Sequence, residues 1–151
     1  MFGIKPKIYL GNCCFNRPFD ESSQLLVRWE AEAVLFIQEE IKNGNVALVW
    51  SSILDLENDA NPIKTRRDAI RIWRDHSLVV IRPNAEVKQI AMTLQARCIH
   101  LKDSLHIASA VVSQCHFFIT TDNKLLNKPV DEISIVNPIQ FIQKYTEGLK
   151  L

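Results

Sequence analysis

The chain has 151 residues, of which 47% are hydrophobic and 23% charged, and its formal net charge is +1. This length suits one compact domain that buries roughly two thirds of its unfolded surface, and the balanced charge argues against a disordered tail or a uniformly basic nucleic-acid binder. No apolar run approaches the ~18 residues of a membrane helix and no signal peptide is evident, so we expect a soluble, cytoplasmic protein.

The first predicted element is a buried strand over 7–10, which gives way at Gly11 to the polar loop "GNCCFNRPFD". A helix is predicted from Asp20, a good N-cap, to Ile41, with apolar residues repeating at helical spacing. Gly44 is expected to end this helix at the C′ position.

The rest of the chain alternates short apolar runs with stretches of helical periodicity. In chain order these are a strand over 46–50, helices over 52–57 and 63–75, a strand over 78–81, helices over 85–97 and 103–114, strands over 117–120 and 133–136, and a helix over 139–145.

Strands that are apolar throughout and separated by helices indicate a parallel sheet covered on both faces. We therefore predict a three-layer α/β/α sandwich with a central parallel sheet of four or five strands, as a single domain over residues 1–151. In such a sheet, sites form where strands end and the following helices begin.

Three acidic residues are predicted at these positions. Asp122 follows "FFITT", Asp103 opens "DSLHIASAVV", and Glu57 lies in "WSSILDLEND" after the second strand. Clustered carboxylates suit a hard divalent cation such as Mg²⁺ or Mn²⁺, and hence phosphodiester hydrolysis. The same positions also suit helix N-caps for Asp103 and Asp122 and a solvated acid for Glu57, so spacing leaves both interpretations open.

The chain resembles the PIN domain family, the nuclease fold of VapC-type toxins of toxin-antitoxin systems. The resemblance rests on "IYL", "NRPFD", "WSSILDLE", "LKDSLHIASA", "FFITTDNKLL" and "IVNPIQFI" and covers nearly the whole length. It implies an endoribonuclease in which acids hold one or two Mg²⁺ or Mn²⁺ ions that activate a water. It places the catalytic, metal-binding acids at Glu57, Asp103 and Asp122.

The sequence departs from the family pattern at the end of the first strand, where Gly11 occupies the position of the first acid. Asn12 would point away if the strand continued, Asp20 is better explained as a helix cap, and Asp55 is wrongly spaced to share a helix face with Glu57. We expect impaired ribonuclease activity. The alternative is a catalytically silent module that binds RNA or an antitoxin-like protein, and the glycine is either natural or selected in an active toxin gene.

Basic residues provide a candidate RNA surface. Lys64, Arg67, Arg71 and Arg74 form one helical stripe that can follow phosphates or serve only as a solvated face. Arg17 and Thr121 are further candidates for substrate binding, because they lie near the predicted acidic site.

The resemblance also implies a homodimer and an antitoxin partner. Trp29, Trp50 and Trp73 are expected in or near the core, but an exposed tryptophan on an early helix would fit a partner interface.

The four cysteines lack the spacings typical of zinc sites. We expect reduced structural thiols, with a ligand set of Cys98, His100, Cys115 and His116 as the less favoured alternative.

Overall fold

The computed structural model describes residues 5–148 and has a central sheet of five parallel strands in the order β3-β2-β1-β4-β5. The strands are β1 (Lys7–Leu10), β2 (Ala47–Ser51), β3 (Val79–Ile81), β4 (Phe117–Ile119) and β5 (Ser134–Val136). Helices flank the sheet, so the predicted α/β/α class and parallel sheet are confirmed.

Eight α-helices connect and cover these strands in the described part of the chain. They are α1 (Asn12–Asn16), α2 (Leu25–Lys42), α3 (Ser52–Asp59), α4 (Lys64–Arg71), α5 (Ala85–Gln95), α6 (Leu101–Val112), α7 (Asn123–Leu126) and α8 (Pro138–Thr146). Two 3₁₀ turns, Arg17–Phe19 and Ile72–His76, follow α1 and α4.

Strand β1 lies in the centre of the sheet and is buried on both faces. It pairs with β2 through Ile8 and Leu48 and with β4 through Ile8 and Phe117. Ile8, Tyr9 and Leu10 are fully buried, which explains why the strand is apolar rather than alternating. The residue that follows β1 is thereby carried to the middle of the sheet edge.

The predicted start of the long helix at Asp20 is wrong. Asp20 follows the 3₁₀ turn, and its carboxylate pairs with Arg17 and Arg66 at 3.2 Å each instead of accepting helix amides. Helix α2 begins five residues later, at Leu25. Its end is as predicted, because Gly44 follows the C-cap with a φ of 79°.

Helix α6 begins at Leu101, so Asp103 lies within its first turn and is not its N-cap. The N-cap role predicted for Asp122 is confirmed, since its Oδ1 accepts a hydrogen bond from the Lys124 amide at 2.9 Å. Asn12 opens α1, so the alternation assumed for its side chain does not continue past Leu10. None of the helices described in residues 5–148 is long and apolar enough to cross a membrane.

Candidate functional site

Gly11 joins β1 to α1 at the carboxyl edge of the sheet. Its amide donates to the Ile119 carbonyl at 2.9 Å, and its carbonyl accepts from the Cys14 amide at 2.9 Å. With φ −64° and ψ 155° the residue has ordinary extended backbone, which any amino acid adopts. The backbone therefore does not require glycine here.

The space beside Gly11 also admits a side chain. A Cβ atom placed on it would lie 3.4 Å from the Ile119 carbonyl oxygen, 3.5 Å from Cys13 Sγ and 3.9 Å from Thr120 Oγ1. These are van der Waals contacts with the end of β4 and with Cys13, so a Cβ atom fits at position 11.

The Cys13 thiol occupies the neighbouring space. Its Sγ lies 3.4 Å from Thr120 Oγ1 and accepts a hydrogen bond from the Thr121 amide at 3.4 Å. The adjacent Cys14 side chain, with hydrogen bonds from Thr120 and Thr121, lowers the pKa of the Cys13 thiol to about 5, although burial opposes this. Only the fold brings the end of β4 beside residue 13, so no sequence pattern indicates this environment.

The other three cysteines show no sign of a metal site or a disulfide. None of Cys13, Cys14, Cys98 and Cys115 forms a disulfide.

Glu57 lies on α3 and is held by two side chains of α6. Its Oε1 lies 2.6 Å from His106 Nε2, and its Oε2 lies 3.2 Å from Lys102 Nζ. Burial opposes ionisation of Glu57, but hydrogen bonds from His106 and Lys102 outweigh it and hold the pKa of this carboxyl below its ordinary value. Glu57 is therefore an ordered carboxylate.

Further polar side chains lie behind His106. Its Nδ1 forms a short hydrogen bond with the Tyr9 hydroxyl, which lies 2.6 Å from Ser51 Oγ. Tyr9 and Ser51 are fully buried and His106 is 4% exposed. No sequence pattern connects Tyr9 with His106, because the two residues are 97 positions apart and meet only in the folded chain.

Asp103 and Asp122 line the same open pocket, which has a volume of about 320 Å³. Burial raises the pKa of the Asp103 carboxyl, and the negative charges of Asp122 and Glu57 raise it further. The charge of Glu57 thus reaches Asp103, but Glu57 itself lines a separate pocket with Leu56 and Lys102. Lys124 also lines the pocket of the two aspartates.

These acids do not form a complete cation site. Within residues 5–148, no group of three or more histidine, cysteine, aspartate or glutamate side chains could hold a metal ion. Both oxygens of Glu57 already have partners, and Gly11 supplies no ligand. The residues present therefore do not fit a resident Mg²⁺ or Mn²⁺ ion, and that cofactor remains a prediction.

Asp55 does not substitute for the missing acid at position 11, because its carboxylate has other partners. It accepts a hydrogen bond from Trp50 Nε1 at 2.9 Å and pairs with Arg74 at 3.4 Å.

The basic stripe lies along α4 and the 3₁₀ turn that follows it, and its members have partners. Lys64 pairs with Asp68 at 2.6 Å and Arg71 with Asp59 at 2.6 Å, while Arg67 donates to the Asn61 carbonyl at 2.7 Å. Exposed ion pairs of this kind contribute little to folding stability, so an RNA phosphate could replace the acidic partner. RNA binding by the stripe stays a prediction.

Arg17 is more firmly held. It pairs with Asp20 at 3.2 Å and with the buried Glu30 at 3.3 Å.

The tryptophans differ in exposure. Trp50 is fully buried and Trp73 packs partly against the core, but Trp29 is 53% exposed. Leu25 and Leu26 are equally exposed on the same end of α2. An early helix thus carries an open apolar surface, and the expected core position of Trp29 is wrong because its side of α2 faces away from the sheet.

Comparison with known proteins supports the fold only. No family model matches the sequence, and no curated protein matches it. Among solved structures, VapBC2 from Rickettsia felis, crystallised with a DNA fragment from its promoter, contains a chain of similar fold. The TM-score is 0.59 over 87% of this chain and 98% of that chain, with 14% sequence identity. The likeness supports a PIN-like architecture.

Proposed function

We propose that this chain is a PIN-like endoribonuclease of the Mg²⁺- or Mn²⁺-dependent, toxin-like class, with activity lowered by glycine at position 11. The observation that carries the proposal is the geometry of Gly11. Strand β1 brings this residue to the middle of the sheet edge in an extended conformation that suits any residue, with space for a Cβ atom.

The remaining acids support the same chemistry. Asp103 and Asp122 present carboxylates to one open pocket, and Glu57 raises the pKa of Asp103 from the side of α3. Like charges collected at a sheet edge destabilise the fold unless something compensates them, so function is the simplest reason to keep them. RNA phosphates and a divalent cation are proposed as the compensating groups.

The chain's own side chains have definite roles in this proposal. Asp103 and Asp122 would provide carboxylate oxygens to the site, and Glu57 would provide a further oxygen beside His106. A divalent cation would supply activation of a water and stabilise charge on the phosphate, but residues 5–148 of the parent chain do not fit one. Because it would need a further carboxylate at position 11, this copy should cleave RNA slowly.

A second candidate function is a catalytically silent module that binds RNA or an antitoxin-like protein. It is favoured by the absence of a three-ligand group within residues 5–148 and by the exposed apolar side chains at the start of α2. Trp29, Leu25 and Leu26 offer the kind of aromatic and aliphatic anchors that protein interfaces use. The same surface suits the expected homodimer.

RNA cleavage by paired variants tests the proposal. Single-turnover rates on a fluorescent RNA of mixed sequence should be measured with Mn²⁺, with Mg²⁺ and with EDTA. Gly11→Asp should cut at least about 100-fold faster than the parent chain, because several kcal/mol of transition-state stabilisation return. Adding Asp103→Asn to Gly11→Asp should abolish the gain.

The control variant is Gly11→Asn, which has the same shape without the charge and should behave like the parent. If folded Gly11→Asp is as inert as Gly11→Asn in all three conditions, the ribonuclease proposal fails and the silent module is favoured.

A further inference from the structure

A buried row of polar side chains connects the interior of the sheet to Glu57. Ser51 ends β2, Tyr9 lies on β1, His106 on α6 and Glu57 on α3. Ser51 Oγ lies 2.6 Å from the Tyr9 hydroxyl, which bonds His106 Nδ1, and His106 Nε2 lies 2.6 Å from Glu57 Oε1. Four elements therefore meet through one line of hydrogen bonds.

The groups at the two ends of this row determine which atom donates each hydrogen bond. At one end the Leu54 amide donates to Ser51 Oγ at 3.2 Å. At the other end the ionised Glu57 carboxylate can only accept, so His106 Nε2 must carry a proton. When that is the only proton on the ring, Nδ1 has a lone pair to which the Tyr9 hydroxyl donates, and the Ser51 hydroxyl donates to Tyr9.

The opposite arrangement satisfies fewer groups. A proton on Nδ1 alone would leave the lone pair of Nε2 facing the Glu57 carboxylate, and Tyr9 would have to donate to Ser51. The Ser51 hydroxyl would then have no acceptor among the hydrogen bonds of residues 5–148. Burial also raises the pKa of Tyr9, so its hydroxyl keeps its proton and remains a donor.

We propose that His106 is a positioning residue: the ordered row Ser51, Tyr9, His106 holds Glu57 Oε1 in place and leaves Oε2 for the site. Within residues 5–148 the ion-pair partner of Oε2 is Lys102, whose side chain is 62% exposed and can move aside for a substrate. The role assigned to Oε2 rests on the proposed ribonuclease function, whereas the direction of the row does not.

The row is not a nucleophilic relay. Ser51 is fully buried and also caps α3, so no substrate reaches its hydroxyl. Its place at the junction of β2 and α3 instead ties the position of Glu57 to the sheet. A partner that orients a site ligand in this way typically changes activity by about 10- to 100-fold when removed.

Nitrogen NMR of the full chain tests the direction of the row without any reaction. Long-range ¹H–¹⁵N spectra should show a proton bound to His106 Nε2, assigned through loss of the His106 signals in His106→Gln. Tyr9→Phe should shift the His106 Nδ1 signal. A ring that carries its proton on Nδ1 and none on Nε2 would overturn the proposal, because Nε2 could not then donate to Glu57.

Kinetics in the Gly11→Asp background test the positioning role. His106→Leu should lower kcat by about 10- to 100-fold with KM within twofold, and His106→Gln, whose amide can still donate to Glu57, should recover part of the loss. A purely structural role predicts equal kcat values for the two variants after correction for the folded fraction, and that result would refute positioning. If Gly11→Asp does not cut RNA, the ribonuclease proposal fails. The NMR result still shows whether His106 Nε2 carries the proton that it donates to Glu57.

Discussion

Removing one oxygen atom from the buried row should cost far more stability than removing the same atom near the surface. In Tyr9→Phe the ring remains in place, because it stacks on Phe118 with centroids 5.3 Å apart. The lost hydroxyl, however, leaves the Ser51 hydroxyl and His106 Nδ1 without their shared partner. Both residues are buried, so water cannot replace the hydrogen bonds.

The magnitude follows from these two unpaired groups. A buried polar group left without a partner costs about 1 to 3 kcal/mol, and the easier burial of phenylalanine offsets part of that. We expect Tyr9→Phe to lower the free energy of unfolding by about 2 to 3 kcal/mol. For a chain of this size the melting temperature should fall by about 5 to 10 °C.

Tyr145→Phe is the matched control. Its hydroxyl donates to Glu40 at 2.6 Å, and its ring stacks on Phe141 with centroids 5.6 Å apart, but Tyr145 is only partly buried. Water can hydrate Glu40 after the change, so the expected loss is about 0.5 to 1 kcal/mol. Urea unfolding followed by circular dichroism measures both variants, and losses within about 0.5 kcal/mol of each other would refute the reasoning.

Three further predictions concern the edge of the sheet and the glycines. In a Cys98→Ser background, alkylation of Cys13 by iodoacetamide should be nearly as fast at pH 6.5 as at pH 8 and should slow near pH 5, because the pKa of Cys13 is about 5; a rate that keeps rising to pH 9 would contradict this. Asp103→Asn should raise the urea midpoint at pH 7 but not at pH 3, since the raised pKa of Asp103 means that its ionisation above about pH 4 destabilises the fold; an unchanged midpoint at pH 7 would count against it. Gly44→Ala should cost about 1 kcal/mol because φ is 79°, whereas Gly11→Ala should be neutral or stabilise by about 0.5 kcal/mol because φ is −64°, and equal effects in urea unfolding would contradict the assignment.

The architecture could be predicted because its signals are local. Strands such as β1 and β2 are continuous apolar runs, which only a sheet covered on both faces explains. The helix starts are local as well, since the Asn84 and Asn137 side chains accept amide hydrogen bonds at the starts of α5 and α8.

The errors arose where contacts between distant segments decide the structure. Helix α1 has only five residues, too few for a periodic pattern. Asp20 does not cap a helix, and its carboxylate pairs with Arg66, which is far along the chain. The exposure of Trp29 depends on which side of α2 meets the sheet. Sequence periodicity contains none of these long-range pairings.

The candidate site was predictable in part. Spacing and resemblance proposed Glu57, Asp103 and Asp122, and in the structure the two aspartates line one pocket while Glu57 lines another. The row behind Glu57 could not be predicted, because Tyr9 and His106 are 97 residues apart and meet only across the sheet. The hydrogen bonds of Glu57 and the neighbouring Cys13 thiolate likewise depend on the folded chain.

The most direct test of the vacant position is Mn²⁺ binding, measured by electron paramagnetic resonance on the parent chain, Gly11→Asp and Gly11→Asn. We predict that Gly11→Asp binds Mn²⁺ at least about tenfold more tightly than the other two, and that Asp103→Asn removes the gain. Equal Mn²⁺ affinity in the three folded proteins would show that position 11 does not face a cation site and would contradict the account.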